Sequence, residues 1–149
     1  MAEDRADLAT LEALVRALDG AGRRRLMRRI VQDVRREQGR RIGRQQDPDG
    51  KAFAPRSINP ASPDQKRGPM FKGLRLIRSM TVQASESDGA VGFVGRVERI
   101  ARVHQLGEMD RPRPRLRPVR YPVRQLLGVS SQTEAVVWDA LQRHLVGGG

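Results

Sequence analysis

Leu26, Ile30, Val34, Gln38 and Ile42 recur every four residues through a stretch that also carries ten arginines. This interval is the helical one, so these side chains share a single stripe. Met27 and Val31 widen the stripe. Arg23, Arg24, Arg25, Arg28, Arg29, Arg35, Arg36, Arg40, Arg41 and Arg44 fill the other faces. Upstream, Leu8, Leu11, Leu14, Val15 and Leu18 also fall at helical spacing, and Thr10 with the early acids suits a helix start. Asp19-Gly20-Ala21-Gly22 breaks the chain between the two. The pattern predicts an N-terminal helical hairpin with an acidic first helix and a basic second one.

The apolar supply behind that stripe is thin. Leu, Ile, Val and Phe make up 35 of 149 residues, and Trp138, Tyr121, Phe53, Phe71 and Phe93 are the only aromatics. Low aromatic content lowers the area each residue can bury. The length suits one small domain over residues 1–149. Its expected form is flat or extended, completing its burial against a partner. The chain has no cysteine, which removes disulfides, thiolate catalysis and Cys-based metal sites. No run approaches the ~20 apolar residues of a membrane span. Five acids in residues 1–19 are the wrong charge for a secretory signal. A soluble intracellular protein is expected.

Asp47-Pro48-Asp49-Gly50 is a turn signal opening a loop over 46–69 with Pro55, Pro60 and Pro63 and a basic Lys66-Arg67 patch. Met70, Leu74 and Ile77 suggest a short helix weakened by Gly73. Met80–Ala84 and Ala90–Val94 read as two strands of a short antiparallel β-sheet, joined through Asp88-Gly89. Val97, Ile100, Ala101, His104 and Leu106 suggest a further helix ending near Gly107. Residues 108–125 are Arg- and Pro-rich, and the alternation from Arg111 to Pro118 excludes a helix and favours an extended arm. Ser131-Gln132-Thr133-Glu134 has the form of a capping box before a C-terminal helix with Val137, Ala140, Leu141 and Leu145 as its stripe. This helix is expected to pack on the sheet, and 147–149 to fray. The fold class is α+β.

The net charge of +12 is uneven. Residues 20–45 carry +8 and residues 111–125 carry +6, while 1–19 carry −3 and 79–110 carry −2. Such blocks favour anionic partners, either nucleic acid or an acidic protein surface. Against nucleic acid, aromatics for base stacking are nearly absent from the blocks. No catalytic constellation is evident. His104 and His144 have no metal-ligand spacing, and a His104 pair with Glu98, Glu108 or Asp110 is outweighed by a helix-face or interface histidine. Gly20-Ala21-Gly22 lacks the lysine of a phosphate loop, and the Asp47–Gly50 turn lacks the later ligands of a calcium loop. No enzyme, cofactor or metal is expected. The residues alone describe a small basic α+β protein that binds something anionic.

The order of several segments resembles a known family. Arg41-Ile42-Gly43-Arg44-Gln45-Gln46-Asp47-Pro48-Asp49-Gly50-Lys51-Ala52-Phe53-Ala54-Pro55-Arg56 resembles a helix exit and "PDG-x-aromatic-x-P" turn. Lys66-Arg67 with Met70–Arg75 resembles the segment that follows. Ala101-Arg102-Val103-His104-Gln105-Leu106-Gly107 resembles an "A-x-x-H-Q-aromatic-G" signature, with Leu106 where many members have an aromatic. Tyr121–Ser130 resembles an "R-x-L-L-G-x-S" entry to the last helix. The match, over roughly residues 8–146, is to the phage virion morphogenesis family, the tail completion proteins of contractile-tailed temperate phages. The resemblance implies a non-enzymatic role at the head-proximal end of a tail, needed for head–tail joining. It implies a homo-oligomeric ring in the neck of a virion assembled in the bacterial cytoplasm. Tail terminator, tail tube or sheath and head-connector proteins would be neighbours, and DNA in the neck channel a non-specific contact. On that reading Arg102, His104, Gln105, Arg111, Arg113, Arg115, Arg117, Arg120, Tyr121 and Arg124 are candidate interface residues. Arg28, Arg35, Arg36 and Arg40 form a candidate basic helix face. The alternative is a small basic DNA-binding accessory protein.

Overall fold

A computed structural model describes residues 2–57 and 68–146. The Lys66-Arg67 patch, most of the proline-rich part of the 46–69 loop and the 147–149 tail lie outside the described residues. Four helices are seen, α1 (Ala2–Ala17), α2 (Gly20–Gly43), α3 (Arg96–Leu106) and α4 (Ser131–Leu145), with a 3-10 turn at Ile77–Ser79. Strands β1 (Met80–Ala84) and β2 (Gly89–Phe93) form one two-stranded sheet, and β3 (Met109–Asp110) and β4 (Val119–Arg120) another. The class is α+β, with the helical hairpin, the strand pair and the C-terminal helix where the sequence puts them.

The described chain divides into two compact units. The first comprises residues up to Glu37, 81–91 and 131 onward. Its core is Leu26, Ile30 and Ala140, with Val15, Leu18, Val34, Val137, Leu141 and Leu145 against them. The C-terminal helix therefore packs on the helical hairpin rather than on the sheet. The reason is geometric: its stripe meets two other helical stripes, and a five-residue strand pair offers less apolar area. α1 starts at Ala2, eight residues before Thr10. Asp19 ends the break between the helices by capping α2, its Oδ1 accepting from Gly22 N at 2.6 Å. The β1–β2 turn lies against α2: a Cβ on Gly89 would overlap Val31 and Met27, and Glu86 pairs with Arg23 (3.4 Å) and Arg24 (3.6 Å). α4 begins at Ser131 itself, one residue earlier than a cap at that position would place it. Thr133 instead donates to the buried Glu37 carboxylate at 3.0 Å.

The second unit comprises residues 38–80 and 92–130. Ile42, Phe53, Leu74, Ala101 and Leu126 form its core, flanked by Met70, Phe71, Phe93 and Val97. α2 ends through Gln45, a non-glycine residue at φ 60°. Its side chain compensates by donating to Ile42 O (2.9 Å) and Met70 O (2.8 Å) while accepting from Met70 N. The Asp47–Gly50 turn forms as read, with Asp47 Oδ1 accepting from the backbone of Asp49 and Lys51, each at 2.9 Å. The helix expected around Met70–Ile77 is instead a series of turns followed by the 3-10 turn. Phe71 sits at φ 65° within it, a conformation no helix continues through.

Candidate interaction surface

The segment from α3 to α4 begins with a reversal. α3 stops at Gly107, whose φ of 67° is the left-handed cap glycine favours, and a Cβ there would lie 2.7 Å from Val123 Cγ2. The chain then runs out through β3 and back through β4. Met109 faces Arg120 and Asp110 faces Val119 in the ladder. Tyr121 N donates to Glu108 O (3.1 Å) and Arg124 N to His104 O (2.8 Å). The expected single extended arm over 108–125 is thus a narrow β-ribbon that folds back on itself. Its prolines confine it to a short ladder by removing donors, and Leu116 N closes the tip onto Arg113 O at 3.0 Å.

The base of this ribbon is clasped from within. Arg124 is 4% exposed. Its guanidinium donates to Ala54 O (2.6 Å), Pro55 O (2.8 Å) and His104 Nδ1 (3.0 Å). Gln105 Oε1 accepts from Leu126 N (2.8 Å) and Leu127 N (3.0 Å), and its Nε2 donates to Leu127 O. From α2, Gln38 grips Gly128 at both its N–H and its carbonyl. The buried Arg41 donates to Gln38 Oε1, Leu126 O and Gln46 O. Arg41 therefore does not lie on a solvated face, as the helical pattern suggested. Its planar fork finds three acceptors, which is what makes burying a guanidinium tolerable.

His104 sits in an edge-to-face series of rings. Its ring lies 4.9 Å from Phe71 and 5.0 Å from Tyr121, and Phe71 lies 5.6 Å from Phe53. Burial first, and then the neighbouring Arg124 charge, hold its pKa down at about 4. The imidazole is neutral at physiological pH and accepts at Nδ1. It is not a cation at the helix end, where Gly107 makes the cap. Burial also lowers the Arg124 pKa, helped by the nearby Arg56, and raises that of Tyr121.

Toward the tip the arrangement changes. Arg99 pairs with Asp110, and Arg102 with Glu108 at 3.4 Å. The backbone N–H of Arg111, and then Arg99, hold the Asp110 carboxyl below its usual range. Arg120 donates to Gly107 O (3.2 Å) and Arg111 to Pro114 O. All residues from Arg111 to Arg120 are exposed. Leu106, Met109, Val119 and Val123 around the ribbon stem also face outward. Leu106, where an aromatic was expected, is 61% exposed, so it has no core contact to supply.

The candidate residues thus divide. His104, Gln105, Tyr121 and Arg124 come together in the clasp, Arg102 and Arg120 brace the stem, and Arg113, Arg115 and Arg117 occupy the tip. On α2, Arg28 and Arg40 are exposed, Arg36 pairs with Asp33 at 2.7 Å, and the Arg35 Nε is buried without a hydrogen bond among the described residues. Sequence reasoning missed Gln38 and Arg41 as partners of the 124–128 segment. The signal was there for Gln38, a polar residue on an apolar stripe. No group of three or more potential metal ligands occurs among the described residues, and no described helix is long and apolar enough to cross a membrane.

The clasp joins three of the sequence segments singled out above: the turn after α2, the His-Gln at the end of α3 and the Arg-x-Leu-Leu-Gly before α4. A family profile described as the phage virion morphogenesis family matches residues 3–146, a span that includes all three segments. The chain belongs to the phage virion morphogenesis family. Among curated proteins it is similar to tail completion protein S of Escherichia phage P2. The identity is 32% over 139 residues, covering 91% of this chain and 92% of that protein. No solved structure matches the chain. Membership in the virion morphogenesis family makes this a structural phage tail protein. In this chain the clasp residues hold the base of the ribbon between α3 and α4.

Proposed function

We propose that this chain is a tail completion subunit at the head-proximal end of a phage tail, needed for head–tail joining, and that it works as a ring of copies in the neck of the virion. The observation that carries the reading is the near full-length similarity to a tail completion protein. The form of the molecule supports it. Apolar side chains at the ribbon stem are left outward while the base is fixed by the clasp, as suits a subunit that finishes its burial on assembly. A ring needs two different patches that meet head to tail and close. Its neighbours on this reading are copies of itself, tail terminator, tube or sheath, and head-connector proteins.

The test is electron microscopy of lysates from a phage lacking this chain. Full heads and separate tails are expected, with joining restored by the chain in trans. Joined particles in its absence would end the proposal. Light scattering on a sizing column addresses the ring: a defined oligomer is expected that persists in high salt, where it carries no nucleic acid. A monomer that carries nucleic acid at low salt would favour the DNA-binding accessory reading.

A further inference from the structure

Most arginines around the ribbon already have a partner in the molecule. Arg99 and Arg102 are neutralised by Asp110 and Glu108, and Arg120 and Arg124 donate to backbone carbonyls. Beyond Asp110 the sequence has no acid until Glu134. The side chains of Arg113, Arg115 and Arg117 make no hydrogen bond and no ion pair among the described residues. They fall within five consecutive residues, across a turn in which Leu116 N donates to Arg113 O at 3.0 Å. These three positive charges have no counter-charge among the described residues, and an anion would supply one.

We propose that the ribbon tip, through Arg113, Arg115 and Arg117, holds the phosphate backbone of duplex DNA. It rests on the neck reading for its biological setting, whereas the contact itself belongs to the purified chain. Three features select the ligand. The tip is fully exposed and has no buried polar cradle, so it is not built for a small anion. Leu116 is the one large apolar side chain among residues 111–118, whereas a protein interface needs a desolvated apolar centre. Phosphate contacts need only cations that can reach out, and they carry no sequence preference. Pro112, Pro114 and Pro118 restrict the loop before binding, so ordering it costs little. The net charge of +12 adds a long-range attraction that any segment could share, so the experiment holds that charge constant.

The measurement is fluorescence anisotropy of a labelled mixed-sequence duplex, titrated with the full-length chain over a salt series. Three proteins are compared: the wild type, R113Q/R115Q/R117Q, and R25Q/R28Q/R40Q on exposed α2 positions. Both variants remove the same charge. The tip variant is expected to lose about 100-fold in affinity at about 0.1 M salt, with the log–log salt slope reduced by about 2 to 3. The α2 variant is expected to lose less than about tenfold. Equal losses in the two variants, or no binding by the wild type, overturn the proposal. So does a tip variant that binds DNA normally yet fails to restore head–tail joining, which would assign the tip to an acidic protein surface. The neck reading is scored separately, by whether heads and tails stay apart when the whole chain is missing.

Discussion

Arg124 and Arg115 lie in one short arginine-rich segment and have opposite surroundings. Arg124 is buried at the ribbon base with three acceptors in reach, and Arg115 is exposed at the tip with none. The two regions differ in what supplies the counter-charge. At the base, carbonyls of Ala54 and Pro55 and a neutral imidazole are presented by other segments of the chain. At the tip, prolines interrupt the ladder and no acid among the described residues pairs with Arg115. A run of basic residues therefore does not define one surface. Which members are available to a partner depends on which have found acceptors at home.

The largest effects are expected at the base. Leu126 is fully buried beneath the clasp, so Leu126→Ala is expected to destabilise the chain by about 2–5 kcal/mol in urea unfolding. A cost below 1 kcal/mol would mean the base is not packed as described. Arg124→Lys keeps the charge and loses the fork, leaving buried carbonyls and His104 Nδ1 short of donors. A loss of about 2–3 kcal/mol is expected from the same measurement.

The next effect is that of pH. His104 has a folded pKa of about 4 against its ordinary 6.5, so the folded state binds its proton less readily. Its contribution is complete above pH 6.5. It is lost as pH falls from 6.5 toward 4, because there only the unfolded chain takes up the proton. With the ring half-buried and partly screened by solvent, the loss is about 2 kcal/mol over that window. His104→Asn should flatten this part of the stability–pH profile, and an unchanged slope would place the imidazole in water. Gly107→Ala strains a left-handed cap against Val123, for an expected cost of about 1–2 kcal/mol by thermal melting. The smallest effect sharpens the contrast from the other side. Replacing Arg113, Arg115 and Arg117 with glutamine should leave the melting temperature unchanged, since nothing at home depends on them.

Helix periods, the Asp47–Gly50 turn and the Asp88-Gly89 hairpin are local matters, set by spacings within a few residues, and they were legible in the sequence. So was membership in the family, through short segments in order. The roles of those segments were not legible. Gln105 and Arg124 read as equals of Arg113 and Arg115, and Arg41 read as one of ten arginines off the apolar stripe. Spacing alone was enough for the helical hairpin, α3, α4 and the two tight turns and for where charge collects, but not for Met70–Ile77, where Phe71 at φ 65° interrupts the helix expected there. Tertiary structure alone decided which charges are buried and which remain open. The acceptors of Arg41 and Arg124 come from residues up to 85 positions away. Hydrogen bonding to a buried group depends on distance in space, and no local spacing encodes that.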